Sequence, residues 1–188
     1  MKKQFELFKQ WLEVNYKKGL EDLNNPITEE EISILECGLG FALPLDLIEI
    51  LKIHNGQNRN AGWIFEGQEF LSSHRILDEW KVWKELLDDG DFDDNKSGEV
   101  NPEIKDNWWN EKWIPFTYNG CGDHYCLDMD PTNIGKKGQI ITMWHDDAKR
   151  ELLNNSLYSW FQTYVSKLNA GEFIYSEEYD SIIDKNDI

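Results

Sequence analysis

Between Trp113 and Asp147 the chain alternates short apolar runs with glycine-bearing turns, and this stretch restricts the possible folds more than any other. Trp113-Ile114-Pro115-Phe116 leads into Gly120-Cys121-Gly122-Asp123. Leu127-Asp128-Met129-Asp130-Pro131, a turn spaced by Gly135 and Gly138, Gln139-Ile140-Ile141 and His145-Asp146 follow. Tyr125, Leu127 and Met129 alternate with His124, Cys126 and Asp128, the period of a strand with one face buried. Ile140 to Trp144 reads as another strand. Strand, turn, strand, turn, strand in so short a span predicts a small sheet, antiparallel or mixed.

Helical patterns flank that sheet. Phe5, Phe8 and Leu12 recur at helical spacing, predicting a helix over 3–17. Thr28 opens a capping box with Glu31, and Ile32 and Leu35 supply the buried stripe that follows. Leu43-Pro44 starts a third helix with Leu47, Ile48 and Leu51 inward, closed by His54-Asn55-Gly56. Trp63–Phe65 and Phe70–Leu71 read as two short strands around Gly67. Ile76, Trp80, Trp83 and Leu87 place a helix over 75–87. Leu157, Trp160, Phe161, Tyr164, Val165 and Leu168 mark the clearest helix, ended by Gly171. The expected fold class is α+β: a single domain with the sheet packed by N- and C-terminal helices. Residues 1–171 form the body, with an acidic, tryptophan-rich insertion at about 79–109. An acidic tail at 172–188, a frayed helix or loose strand, completes it.

Charge narrows the choice of partner. The sequence holds 36 acidic and 19 basic residues, a formal net charge of −17. Such a field repels a nucleic-acid backbone or an anionic membrane and steers a basic protein inward. The charge is concentrated: residues 85–106 and the segment from Glu172 onward carry most of it. Three cysteines (Cys37, Cys121, Cys126) at irregular spacing form no disulfide framework and point to a reducing compartment, the cytoplasm. Met1 to Glu6 shows no apolar signal-peptide core, and no apolar run reaches membrane-spanning length.

No constellation makes a convincing catalytic or metal site. Asp91, Asp93, Asn95, Ser97 and Glu99 alternate as in a calcium loop, but Lys96 stands where glycine is needed and Pro102 where a bidentate glutamate is needed. Cys121, His124, Cys126 and His145 match no standard zinc spacing. Cys121 or Cys126 with His145 and Asp146 supplies the residue types for thiol chemistry without a local signature. Asp123, Asp128 and Asp130 read as turn residues, aspartate bonding the backbone two positions on. The expectation is therefore no catalytic residue, no metal and no cofactor.

Taken in order, these pieces resemble the SUKH superfamily, which includes the yeast Smi/Knr cell-wall assembly regulators and many bacterial toxin-immunity proteins. The resemblance runs from about Thr28 to Leu168. It rests on Thr28–Ile32, Leu43–Asp46, Asn55-Gly56, Trp113–Phe116, Gly120–Asp123, Leu127–Pro131, Gly138-Gln139, His145-Asp146 and Ser156–Phe161. It marks Trp113, Pro115, Gly120, Gly122, Asp123, Asp130, Gly138 and His145 as structural motif positions. The resemblance implies a non-catalytic α+β domain. For bacterial members it implies an immunity protein that binds and neutralises a cognate toxin, often a nuclease. The acidic stretch from about Glu79 to Trp109 matches no fixed motif of the family and is the expected place for partner specificity. Asp88, Asp89, Asp91, Asp93, Asp94 and Glu99 are the expected partner-binding carboxylates, with Trp108 and Trp109 as apolar anchors. The alternative is a regulatory or scaffold module of the same fold. A hydrolase built on Asp123, Asp128 and His145 is a distant third.

Overall fold

The computed structural model describes residues 1–93 and 101–187. Four helices come first: α1 (Lys2–Asn15), α2 (Lys17–Glu21), α3 (Glu29–Leu39) and α4 (Leu45–Leu51). Strand β1 (Glu69–Phe70) and helix α5 (Ser73–Asp88) precede β2 (Trp113–Pro115), β3 (Thr117–Tyr118), β4 (His124–Asp128), β5 (Gln139–Met143) and β6 (Leu152–Asn154). Helix α6 (Leu157–Ala170) and the strands β7 (Phe173–Ser176) and β8 (Ser181–Asp184) complete the order. The mixture of helices and antiparallel sheets is the expected α+β class.

Local chemistry accounts for the helix ends. Thr28 Oγ1 accepts from the Glu31 N–H while the Glu31 carboxylate accepts from the Thr28 N–H, so the capping box forms as read. Ser72 and Ser156 cap α5 and α6 from one side only, accepting from the N–H groups of Arg75 and Ser159. Gly40 and Gly171 take the left-handed conformation just past α3 and α6. Gly56 does not stop α4, which ends at Leu51. Its φ of +69° instead lets the chain pass under the start of α5, where an added Cβ would lie 2.3 Å from the Ser72 nitrogen.

The central sheet has the order β2-β4-β5-β6, antiparallel throughout. Trp113 pairs with Asp128, and His124 with Met143. Helices cover both faces. Tyr125 of β4 meets Trp160 of α6 at 6.0 Å between ring centroids, whereas His124, on the opposite face, accepts from the Trp83 indole of α5. The strand expected to be half-buried is therefore buried at every position from His124 to Asp128. Period-two alternation separates two faces of a strand, and a second covering layer removes the solvent from the more polar one.

On the α6 side, Phe5 and Phe8 of α1 pack with Phe65, Phe161 and Tyr164 in a cluster of tilted and edge-on rings. Phe65 and Gln68 bond reciprocally around Glu66 and Gly67, both at positive φ, in a tight hairpin turn. The acidic tail is neither a helix nor a loose strand: β7 and β8 form an antiparallel hairpin, and Ser181 bridges Trp63 in parallel. Tyr16 and Tyr175 stack at 3.9 Å and both hydroxyls donate to Asp180, tying that hairpin to the end of α1.

Candidate functional site

The first candidate surface is the C-terminal end of α5. Asp88 and Asp89 close the helix, Gly90 turns at φ +81°, and Asp91 and Asp93 follow; all four carboxylates are exposed. Asp88 is ion-paired with Lys84. Phe92 holds this turn against the body, stacking on Trp83 at 5.8 Å and on Trp108 at 6.5 Å. Phe92 belongs to no periodic stripe, and its one signal in the sequence is a lone aromatic inside an acidic run. Asp94 and Glu99, and the core of the calcium-like pattern with them, lie outside the described residues.

The two expected anchors part company. Trp108 is half-buried, its ring against Phe92 and the Arg150 guanidinium. Trp109 is only 3% exposed and packs on Trp80, so its surface is spent inside the fold and it cannot also anchor a partner. Adjacent residues point apart, and a pair of tryptophans does not reveal which of them faces inward.

Arg150, which no sequence motif marks, organises the same region. It is 2% exposed and donates to the carbonyls of Asp147, Lys149 and Trp108. Its guanidinium lies over both Trp108 and Trp113. Burial lowers its pKa to about 10, while its Nε has no hydrogen-bond partner among the described residues. Carbonyl oxygens and aromatic faces thus stand in for the carboxylate that usually accompanies a buried arginine.

The motif aspartates hold turns, though not as the spacing suggested. Asp128 is fully buried, and Trp113 Nε1 (3.1 Å), Gln139 Nε2 (2.9 Å) and the Asp130 N–H (2.9 Å) all donate to it. Burial raises its pKa against those three bonds. The aspartate bonding two residues on is therefore Asp128; Asp130 itself is taken by Lys105 (2.5 Å) and Asn110 (3.1 Å). In the 119–123 turn that role falls to Asn119, whose Oδ1 accepts from the N–H groups of Cys121 and Asp123. Gly120 and Gly122 take positive φ there, Gly120 against the Trp63 ring, and Gly138 donates to the Asp128 carbonyl. Pro115 is buried opposite Cys126.

Asp123 reaches across to His145, accepting from its backbone N–H and lying 2.9 Å from its Nδ1. Burial pushes the Asp123 carboxyl up, but the His145 and Asn119 bonds outweigh it and leave the pKa lowered. The same contact raises the pKa of His145. The four-residue zinc set does not assemble: His124 and Cys126 are fully buried, and His145 and Cys121 are exposed. Burial also pushes the Cys126 thiol up, the opposite of an activated nucleophile. Among the described residues, the one group of three or more possible metal ligands is Asp123, His145 and Asp146. Beside it lies a cleft of about 450 Å³ lined by Glu66, Tyr125, Trp144, Asp146 and Asp147 among others.

Helices on both faces of a small antiparallel sheet, with the motif carboxylates bound into its turns, define a mixed α+β module. A family model of the SMI1 / KNR4 family (SUKH-1) matches residues 26–163, and the chain belongs to that family. It is 23% identical to the "Glucan synthesis regulatory protein" of Neurospora crassa over 95% of this chain and 40% of that protein. It is 24% identical to the "Cell wall biosynthesis/cell cycle regulator smi1" of Schizosaccharomyces pombe, over 92% and 37% respectively. With the "Cell wall assembly regulator SMI1" of Saccharomyces cerevisiae the identity is 21%, over 84% and 38%. The chain thus spans well under half the length of the curated relatives it matches. These relatives are named as regulators. No helix among the described residues is long and apolar enough to cross a membrane.

Proposed function

We propose that this chain is a non-catalytic protein-binding module that neutralises a basic toxin domain in the cytoplasm, as bacterial immunity proteins do. The observation that carries the reading is the end of α5. Exposed Asp88, Asp89, Asp91 and Asp93 stand on a turn held by Phe92 stacked between Trp83 and Trp108. Carboxylates on a fixed turn can occupy a cationic cleft that otherwise holds phosphates, and a net charge of −17 speeds the encounter. Trp108 contributes the apolar edge of that surface, and Asp94 and Glu99 extend the acidic set in sequence.

Co-expression tests it. The C-terminal domain of a large secreted protein encoded beside this chain is induced with and without it. Growth rescue together with a stable complex on gel filtration is the expected result. Continued killing despite good soluble expression of this chain refutes it. Charge reversal at Asp88, Asp89, Asp91 and Asp93 is expected to weaken the complex and flatten its salt dependence. Unchanged affinity removes the α5 turn from the interface.

The second reading, a regulatory or scaffold module, is favoured by the names of the relatives, all regulators of wall or glucan synthesis in the three cases above. Under it, protection assays are silent and affinity capture returns a housekeeping protein.

A further inference from the structure

We propose that Asp123, His145 and Asp146 form a binding site for a divalent first-row transition ion, at the edge of the cleft beside Trp144. Their ligating atoms lie within 4.8 Å of one another. His145 Nδ1 is 2.9 Å from Asp123 Oδ1 and 4.0 Å from Asp146 Oδ1. With metal–ligand bonds of about 2.1 Å, neighbouring ligands on an octahedron are about 3.0 Å apart and on a tetrahedron about 3.4 Å. The His145–Asp123 separation is thus an octahedral edge as it stands. Asp146 must close roughly another ångström, and its side chain, 77% exposed, is at liberty to do so.

Two of the three ligands are held in advance. Asn119 Nδ2 donates to Asp123 Oδ2 at 2.6 Å, and the His145 N–H donates to Asp123 Oδ1 at 2.9 Å. Gly122, at φ +106°, brings the turn so close to His145 that an added Cβ would lie 3.0 Å from the His145 Cβ. One imidazole and two carboxylates suit first-row divalent ions, whereas calcium and magnesium favour oxygen alone. Binding displaces the proton shared by His145 and Asp123 to solvent. Three ligands on one side leave further positions open toward the cleft, where Asp147 and Glu66 add negative charge.

The test uses the full chain without a histidine tag, with Cys37→Ser and Cys121→Ser to remove the exposed thiols, titrated with Co²⁺ alone. One equivalent is expected to bind, without a thiolate charge-transfer band, and to shift the His145 ring signals in the NMR spectrum. His145→Ala is expected to weaken binding at least tenfold. Asp146→Asn, at an exposed position outside the hydrogen-bonded turn, is expected to weaken it severalfold with an unchanged fold. Absence of binding at millimolar Co²⁺, or binding by both variants as tight as that of the protein with His145 and Asp146 intact, overturns the proposal.

Discussion

His124 offers a test of the buried polar layer between α5 and the sheet. It is fully buried, with Nδ1 2.7 Å from the Thr117 carbonyl and Nε2 3.3 Å from Trp83 Nε1. A carbonyl can only accept and an indole N–H can only donate, so the two neighbours select the neutral ring with its proton on Nδ1. Protonation would set a second N–H against the indole N–H. Burial lowers the pKa from 6.5 to about 4, so the unfolded chain binds this proton more readily than the folded one. Stability from this group is therefore complete above the unfolded pKa and is lost as pH falls from about 6.5 toward 4. Linkage gives a loss of about 2 kcal/mol between pH 7 and pH 5, and about 3 kcal/mol by pH 4. Carboxylates confuse the raw profile. Those raised by burial, Glu66, Glu69 and Asp128, gain relative stability on acidification, while Asp123 and Asp130, held low, lose it. Subtracting a variant that cannot titrate isolates the histidine. His124→Asn keeps a donor near the Thr117 carbonyl and has no ionisable ring. Urea unfolding at pH 7 and pH 5 is expected to show the wild type losing about 2 kcal/mol more than the variant. Parallel losses in the two proteins would refute the buried-neutral-histidine reasoning.

Trp113→Phe removes one of the three donors to the buried Asp128 carboxylate, and a loss of about 1–3 kcal/mol in urea unfolding at pH 7 is expected. Because Asp128 then resists ionisation further, that deficit is expected to shrink as the pH is lowered through the carboxylate range. Gly56→Ala places a Cβ 2.3 Å from a backbone nitrogen at a left-handed residue, whereas Gly40→Ala meets open space at a similar φ. The Gly40 variant is expected to lose only about 1 kcal/mol of backbone strain, and the Gly56 variant distinctly more, read as thermal midpoints on the two proteins side by side.

Local rules carried the helices and the turns. The capping box at Thr28, the stripes of α1 and α6 and the left-handed Gly171 depend on contacts within a few residues, and all were legible in the sequence. The strands around Gly120–Asp123 and Gly138 were legible for the same reason, and the ordered motifs were enough to suggest the family that the comparison shows. What the sequence left open depended on residues far along the chain. Alternation could not tell that α5 would cover the His124–Asp128 face, nor that Trp109 would turn inward while Trp108 stayed half-exposed. Turn chemistry foretold aspartate-stabilised loops but not that Asp128 and Asn119, rather than Asp130 and Asp123, would make the bonds. Arg150 gave no local signal, because its partners are backbone carbonyls and two rings contributed by distant segments. The meeting of Asp123 with His145 and Asp146 likewise depends on β4 lying beside β5, since strand pairing brings together residues that no periodicity connects.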